Sequence, residues 1–352
     1  MSCFLISSFQ VTAHLSSISD IYVHDGAIGS SSKCDAKVRV ISDSPSAVLS
    51  LSNVLWKTPT RAVSHDSCPL TVYIASSLSP GAVEAAGIGS QGKNGFIAAD
   101  IERSSLILCG KAFSDTNGIK TALAALCGPI ISARGGLPLS ARLLVSGDSV
   151  ILLFAPEDIV QSCSDLLVSL DAGVILSSQG VAPFFQTGNS SGPNLYKLPA
   201  AVILASSDRH FIMALLQGDS ERHRNRGLRT LLSSGVIPSI SKLSPGQAAY
   251  HFLAGYHNGK FVPAYSKSPS SANPLELAKA VLSKLKDDQI PSFLINVNER
   301  EKLTTGKDFV KLVQSTLTKN VPPFEPKGGD LEGKYKSFLS GKFKELPEEF
   351  LF

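Results

Sequence analysis

"SVILLFAPEDIVQS", residues 149–162, runs from a continuous apolar stretch through one proline and two carboxylates into a short amphipathic stretch. Val150 to Phe154 reads as a buried strand. Glu157 and Asp158 stand where the first turn of a helix favours acidic side chains. A strand that turns directly into a helix is the βα step of an α/β protein, so the expected fold class is α/β, mixed α+β. The same step is the setting of phosphate-binding loops. Such a loop needs glycines so that several backbone N–H groups converge on one anion, a lysine for the terminal phosphates and a Ser/Thr hydroxyl for magnesium. Ala155 to Ser162 holds no glycine, Gln161 stands at the lysine position, and Pro156 has no N–H to give. Losing a lysine and two or three amides costs on the order of 5 kcal/mol, more than a thousandfold in affinity. On the residues alone this is a capped helix after a strand.

Outward from that stretch, β-rich runs recur at 20–25, 37–42, 70–76, 104–110, 141–147, 149–155, 200–206 and 292–297, each bounded by Gly, Ser, Pro or Asp. "NPLELAKAVLSKLKDD" predicts a helix with Asn273 as N-cap, Pro274 at its first position and Glu276 three residues after the cap. "TGKDFVKLVQSTLTK" repeats the design with Thr305 as cap. A boundary is expected near residue 140. From Lys319 onward the alternating charges and prolines predict a loosely packed tail.

Composition excludes several classes. The 352 residues carry a net charge of +4, spread along the chain, which argues against a dedicated nucleic-acid binder. No apolar run reaches the roughly 18 residues of a membrane span. The start, "MSCFLISSFQVTAHL", reads as the opening of a domain, with a clipped transit peptide left open. Six cysteines without C-x-x-C spacing fit buried thiols in a reducing compartment better than a zinc site. "GIGSQG" (87–92) matches G-x-G-x-x-G, but neither the preceding strand nor the following helix is clear, so a loop is the better reading. The histidines do not cluster, His251 reads as packed within a helix, and the basic loop at 220–229 reads as a solvated face.

"GVIPSISKLSPGQAAYHFLAGY" (235–256) closely resembles a segment of the ATP-dependent phosphoenolpyruvate carboxykinases, approximately V-L-P-P-V-S-K-L-x-x-x-Q-x-x-Y-H-F-I-S-G-Y. Val236, Pro238, Ser241, Lys242, Leu243, Gln247, Tyr250, His251, Phe252, Gly255 and Tyr256 fall on matching positions. "KLPAAVILASSD" (197–208) is similar to the family stretch H-P-T-N-V-I-L-L-A-C-D, and the opening 3–29 is similar to the family's run into V-F-V-N-D-Q, with Asp25 retained. These pieces keep their order from about Cys3 to Leu317. The resemblance implies a two-lobed fold of the family's type with an incomplete N-terminal lobe at 1–139, a degenerate nucleotide-binding lobe at 140–318 and a charged tail at 319–352. It places Ser140 where the family has a manganese-binding histidine. Ala155, Pro156, Glu157, Asp158, Ile159, Val160, Gln161 and Ser162 fall on G-L-S-G-T-G-K-T, and only Ser162 keeps its chemistry. The family's R-S-P-x-D-K segment would lie before Met1, and its metal-binding aspartates have no counterpart in 163–188. Lys120 falls near a metal-binding lysine of the family, and Arg103 on a structural arginine.

The family uses ATP, Mn²⁺ and Mg²⁺; with these substitutions none of the three is expected as a cofactor here, and no catalytic residue is assigned. The resemblance and its departures together imply a phosphoenolpyruvate carboxykinase-like pseudoenzyme. It would be a binding, regulatory or structural subunit in the cytoplasm with an unidentified protein partner, and with neither a membrane nor a nucleic acid as partner. Two alternatives stand beside it. One is an active enzyme converting oxaloacetate and ATP to phosphoenolpyruvate, ADP and carbon dioxide. The other is a sensor in which Lys120 or Arg134 of "SARGG" holds a small carboxylate.

Overall fold

The computed structural model describes residues 2–58, 70–78, 95–155, 157–169, 171, 173–186, 193–206, 240–257, 273–296, 306–318, 320–325, 339–341 and 343–350. It is a mixed α/β protein with seven α-helices and three sheets among the described residues. Strands and helices are numbered along the chain. Two compact units divide it: one gathers residues up to Leu139 together with Gly173–Tyr196, the other holds Ser140–Ala172 and the described residues from Lys197 on, where 264–270 lie outside the description.

In the first unit, β1 (Tyr22–Ile28), β2 (Ala36–Ser42), β3 (Trp56–Lys57), β4 (Leu70–Ala75), β5 (Gly95–Asp100) and β6 (Ser105–Gly110) form one sheet in the order β3-β1-β2-β4-β6-β5. β2, β4 and β6 run parallel, and the flanking strands are antiparallel. Alternation along each strand sends Val38, Val40, Val72, Leu106 and Leu108 to one face. Ala47 and Leu51 of α2 (Pro45–Ser52) cover that face, with Ile119, Leu123, Cys127 and Ile131 of α3 (Thr116–Ala133). Asp115 starts α3 by accepting from the Gly118 amide at 3.0 Å. Val11 and Leu15 of α1 (Ser2–Ser17) pack on the opposite face with Ile107 and Ala75. A smaller sheet joins β7 (Leu137–Leu139), β10 (Val174–Ser177) and β11 (Gly180–Pro183), and its Ile175 belongs to the same core as α3.

In the second unit, β8 (Arg142–Ser146), β9 (Ser149–Phe154), β12 (Ala201–Ser206), β13 (Ile240–Leu243) and β14 (Ser292–Asn296) order as β13-β14-β12-β9-β8. β9, β12 and β14 are parallel, so their carboxyl ends share one edge, where open α/β sheets hold ligands. Gly147, at φ 58°, makes the tight β8–β9 turn and pairs Ser146 with Ser149, hence Arg142 with Leu153. One sheet face, with Ile151, Leu153, Ile203 and Ile295, is covered by Ile159 and Cys163 around α4 (Glu157–Ser162) and by Phe309, Val310 and Val313 of α7 (Gly306–Thr318). On the other face Phe154 meets Phe252 of α5 (Pro245–His257) edge-on at 5.3 Å, and α5 packs along α6 (Pro274–Asp287).

All eight expected β-rich runs lie on strands, and both expected helices form. Asn273 caps α6 by accepting from the Leu275 amide at 3.0 Å, while Glu276 turns to Lys279 at 2.8 Å. Thr305, "GIGSQG", the basic loop at 220–229 and residues 235–239 lie outside the described residues. The expectation of a loosely packed tail is corrected for the described residues 320–325, 339–341 and 343–350. Phe324, Leu339 and Phe350 are buried, and the Phe324 amide donates to the Lys242 carbonyl at 2.8 Å. A few apolar residues anchor a segment that its charges and prolines disguise. The segment 173–196, read with the second lobe, belongs to the first unit because β10 pairs with β7.

Candidate functional site

The turn from β9 into α4 lies at the shared carboxyl edge of the parallel strands. Of the eight residues read as its degenerate loop, Ile159 and Val160 are buried in the core, and Ala155 is half-buried. Pro156 and the Asp158 side chain lie outside the described residues. Glu157, Gln161 and Ser162 are exposed, and each has an internal partner. Gln161 donates through Nε2 to Glu157 Oε1 at 2.7 Å, and the Ser162 hydroxyl donates back to the Ile159 carbonyl at 2.8 Å.

Glu157 Oε2 faces Nη2 of Arg142 at 3.5 Å. Arg142 opens β8 and, through its register with Leu153, projects to the sheet face that α4 covers. Its side chain is 15% exposed and that of Glu157 66%. The Arg142 Nε–H is buried and meets no acceptor. Burial holds the guanidinium below the ordinary arginine range, against the charges of Glu157 and Asp171, which favour its protonated form. Nothing in composition singled Arg142 out. The signal was a lone cation in the apolar run "ARLLVSG", which the two-residue turn at Gly147-Asp148 sets beside the end of β9.

The remaining expected site residues each have surroundings of their own. Ser140, two residues before β8 in the chain, is buried. Lys120 lies in the first turns of α3, its ammonium 5.8 Å from the centre of the Phe185 ring. Arg134 is the C-cap of the same helix, about 20 Å further along its axis. It donates to the Ser32 carbonyl at 2.8 Å and pairs with Asp35 at 3.4 Å. The Asp35 carboxylate also takes the buried Lys37 ammonium at 2.5 Å, so Arg134 fastens the β1–β2 loop in a buried ionic cluster. Asp25 is held side-on by Arg39, with Nε to Oδ1 at 2.8 Å and Nη2 to Oδ2 at 2.9 Å. His251 is buried against Phe324, and burial pushes its imidazole down to about 3. Arg103 is exposed and near Asp100 at 3.9 Å. Among the described residues no group of three or more His, Cys, Asp or Glu side chains is placed to share a metal ion, and no helix is long and apolar enough to cross a membrane.

Fold and site thus define a mixed α/β protein with a strand–turn–helix in which the described polar side chains Glu157, Gln161 and Ser162 have internal partners. No family model matches the chain. Parts of it are distantly similar to proteins named phosphoenolpyruvate carboxykinase (ATP). The identity is 34% over 77 residues with the Flavobacterium johnsoniae protein, covering 18% of this chain and 14% of the relative. It is 34% over 89 residues with that of Christiangramia forsetii, covering 22% and 17%, and 26% over 126 residues with that of Kluyveromyces lactis, covering 32% and 20%. The chain spans a fifth or less of the length of the curated relatives it matches.

Proposed function

We propose that this chain is a non-catalytic relative of the ATP-dependent phosphoenolpyruvate carboxykinases, a binding, regulatory or structural subunit without a phosphate loop. One observation carries the reading: among the described residues after β9, Glu157, Gln161 and Ser162 each have an internal partner. Gln161 spends its amide on Glu157, Ser162 its hydroxyl on Ile159, and Glu157 sets a carboxylate where a polyanion would come. These residues do not fit a magnesium-bound triphosphate. No glycine lets the backbone bend its amides toward one point, and the loop has no lysine. Phosphoryl transfer depends on positioning and on electrostatic stabilisation of the transferring group, and this turn offers neither.

The thermal unfolding midpoint with and without millimolar Mg·ATP and Mn²⁺ tests the reading. A nucleotide at 100 times its dissociation constant adds about 2.7 kcal/mol, a shift of several degrees. The expected result is an unchanged midpoint, together with no phosphoenolpyruvate formed from oxaloacetate in a coupled assay. A clear shift with nucleotide, or turnover, overturns it.

A further inference from the structure

We infer that Arg142 anchors a small-carboxylate site at the end of β9, which Glu157 occupies in place of a ligand. A guanidinium has five N–H donors. Arg142 uses one of them, on Glu157 at 3.5 Å, the outer limit of a hydrogen bond, and its buried Nε–H has no acceptor. A largely buried cation so poorly answered is a liability that an apolar residue at the same strand position would remove. Buried unsatisfied donors of this kind mark a group that something else completes.

The chain supplies its own standard for a completed pair. Arg39 grips Asp25 through Nε and Nη2 at 2.8 and 2.9 Å. Arg142 presents that same pair of donors, with Nε unmet and Nη2 weakly engaged. Two parallel N–H groups of this kind match the two oxygens of a carboxylate. A phosphate suits it less, because a tetrahedral anion is best held by several converging amides, and this loop has no glycine to let them converge. Glu157 is mostly exposed, so releasing it from Arg142 gives up little, as for other exposed ion pairs.

This site deepens the reading of a nucleotide-free subunit but does not stand or fall with it, since no nucleotide enters the test. Calorimetric titration of the full chain with malonate, and separately with inorganic phosphate, is the experiment. Malonate is expected to bind, and phosphate more weakly. Glu157→Gln, which removes the competing charge from an exposed position, is expected to tighten malonate by about fivefold. Arg142→Gln is expected to weaken it at least about tenfold. Should Arg142→Gln fail to fold, the Glu157→Gln arm decides alone. Unchanged or weaker malonate binding in Glu157→Gln, no malonate binding in either protein, or phosphate binding as tightly as malonate, overturns the assignment.

Discussion

Asp43 follows the end of β2 and takes four hydrogen bonds from two consecutive serines. The backbone amides and hydroxyls of Ser76 and Ser77 all donate to it, at 2.6–2.9 Å. Burial alone would raise this carboxyl, but the four donors outweigh burial and leave it at about 2. Its folded value lies below the ordinary carboxylate value of 3.8, so the stability it supplies is complete above pH 4 and is lost as pH falls toward 2. Denaturant unfolding between pH 4 and 2 should lose about 1–2 kcal/mol in the wild type, after allowance for solvent screening, that Asp43→Asn does not lose. Parallel losses in both proteins would assign the acid sensitivity to another group. At this scale the sequence was partly legible. The missing glycines and lysine of the loop could be read directly, because they are absences of residue type. Partners could not: that Arg134 is tied to the 32–35 loop, or that Arg142 meets Glu157, depends on pairing that no local pattern encodes.

Elements were legible where periodicity runs long enough. α6 and α7 carry apolar faces over 14 and 13 residues, and most of the eight expected strands are β-branched runs. β7, β10 and β11 have only three or four residues each, too short for alternation to declare itself. The C-terminal segment was missed because isolated Leu339 and Phe350 hold it, and isolated apolar residues have no period. How tightly it is held can be read at Gly246, in the first turn of α5. A Cβ there would stand 1.6 Å from the Glu349 carbonyl oxygen and 2.7 Å from its carbon, both backbone atoms that cannot turn aside. Gly246→Ala should therefore destabilise the protein by about 1–3 kcal/mol, the range of an overpacked contact. It should also open the 339–350 segment to limited proteolysis, with mass spectrometry placing the first cuts there. An unchanged denaturation midpoint and cleavage pattern would mean that the segment is not fastened to α5 as described.

At the scale of the whole molecule, the class of fold followed from strands alternating with helices, but the strand order did not. A strand does not announce its neighbour, and the return of Gly173–Tyr196 to the first unit depends on three residues of β7 pairing with β10. That return contributes Ile175, Phe184 and Phe185 to the core, and the Gly29 amide donates to the Phe184 carbonyl at 2.8 Å. Each buried side chain of this size is worth about 1.5–3 kcal/mol, so residues 1–139 alone should lack several kcal/mol of their stability. The fragment 1–139 should bind the dye ANS and lose its near-ultraviolet circular dichroism, whereas 1–196 keeps a fixed tertiary signal; a well-dispersed NMR spectrum from 1–139 would refute this. The same return sets a timetable for biosynthesis. Nascent chains tend to fold from the N-terminus as each domain emerges from the ribosome. Here the unit that begins earlier in the chain must wait, its apolar surface uncovered, while residues 140–172 of the other are made, and that interval is when a chaperone would have most to hold.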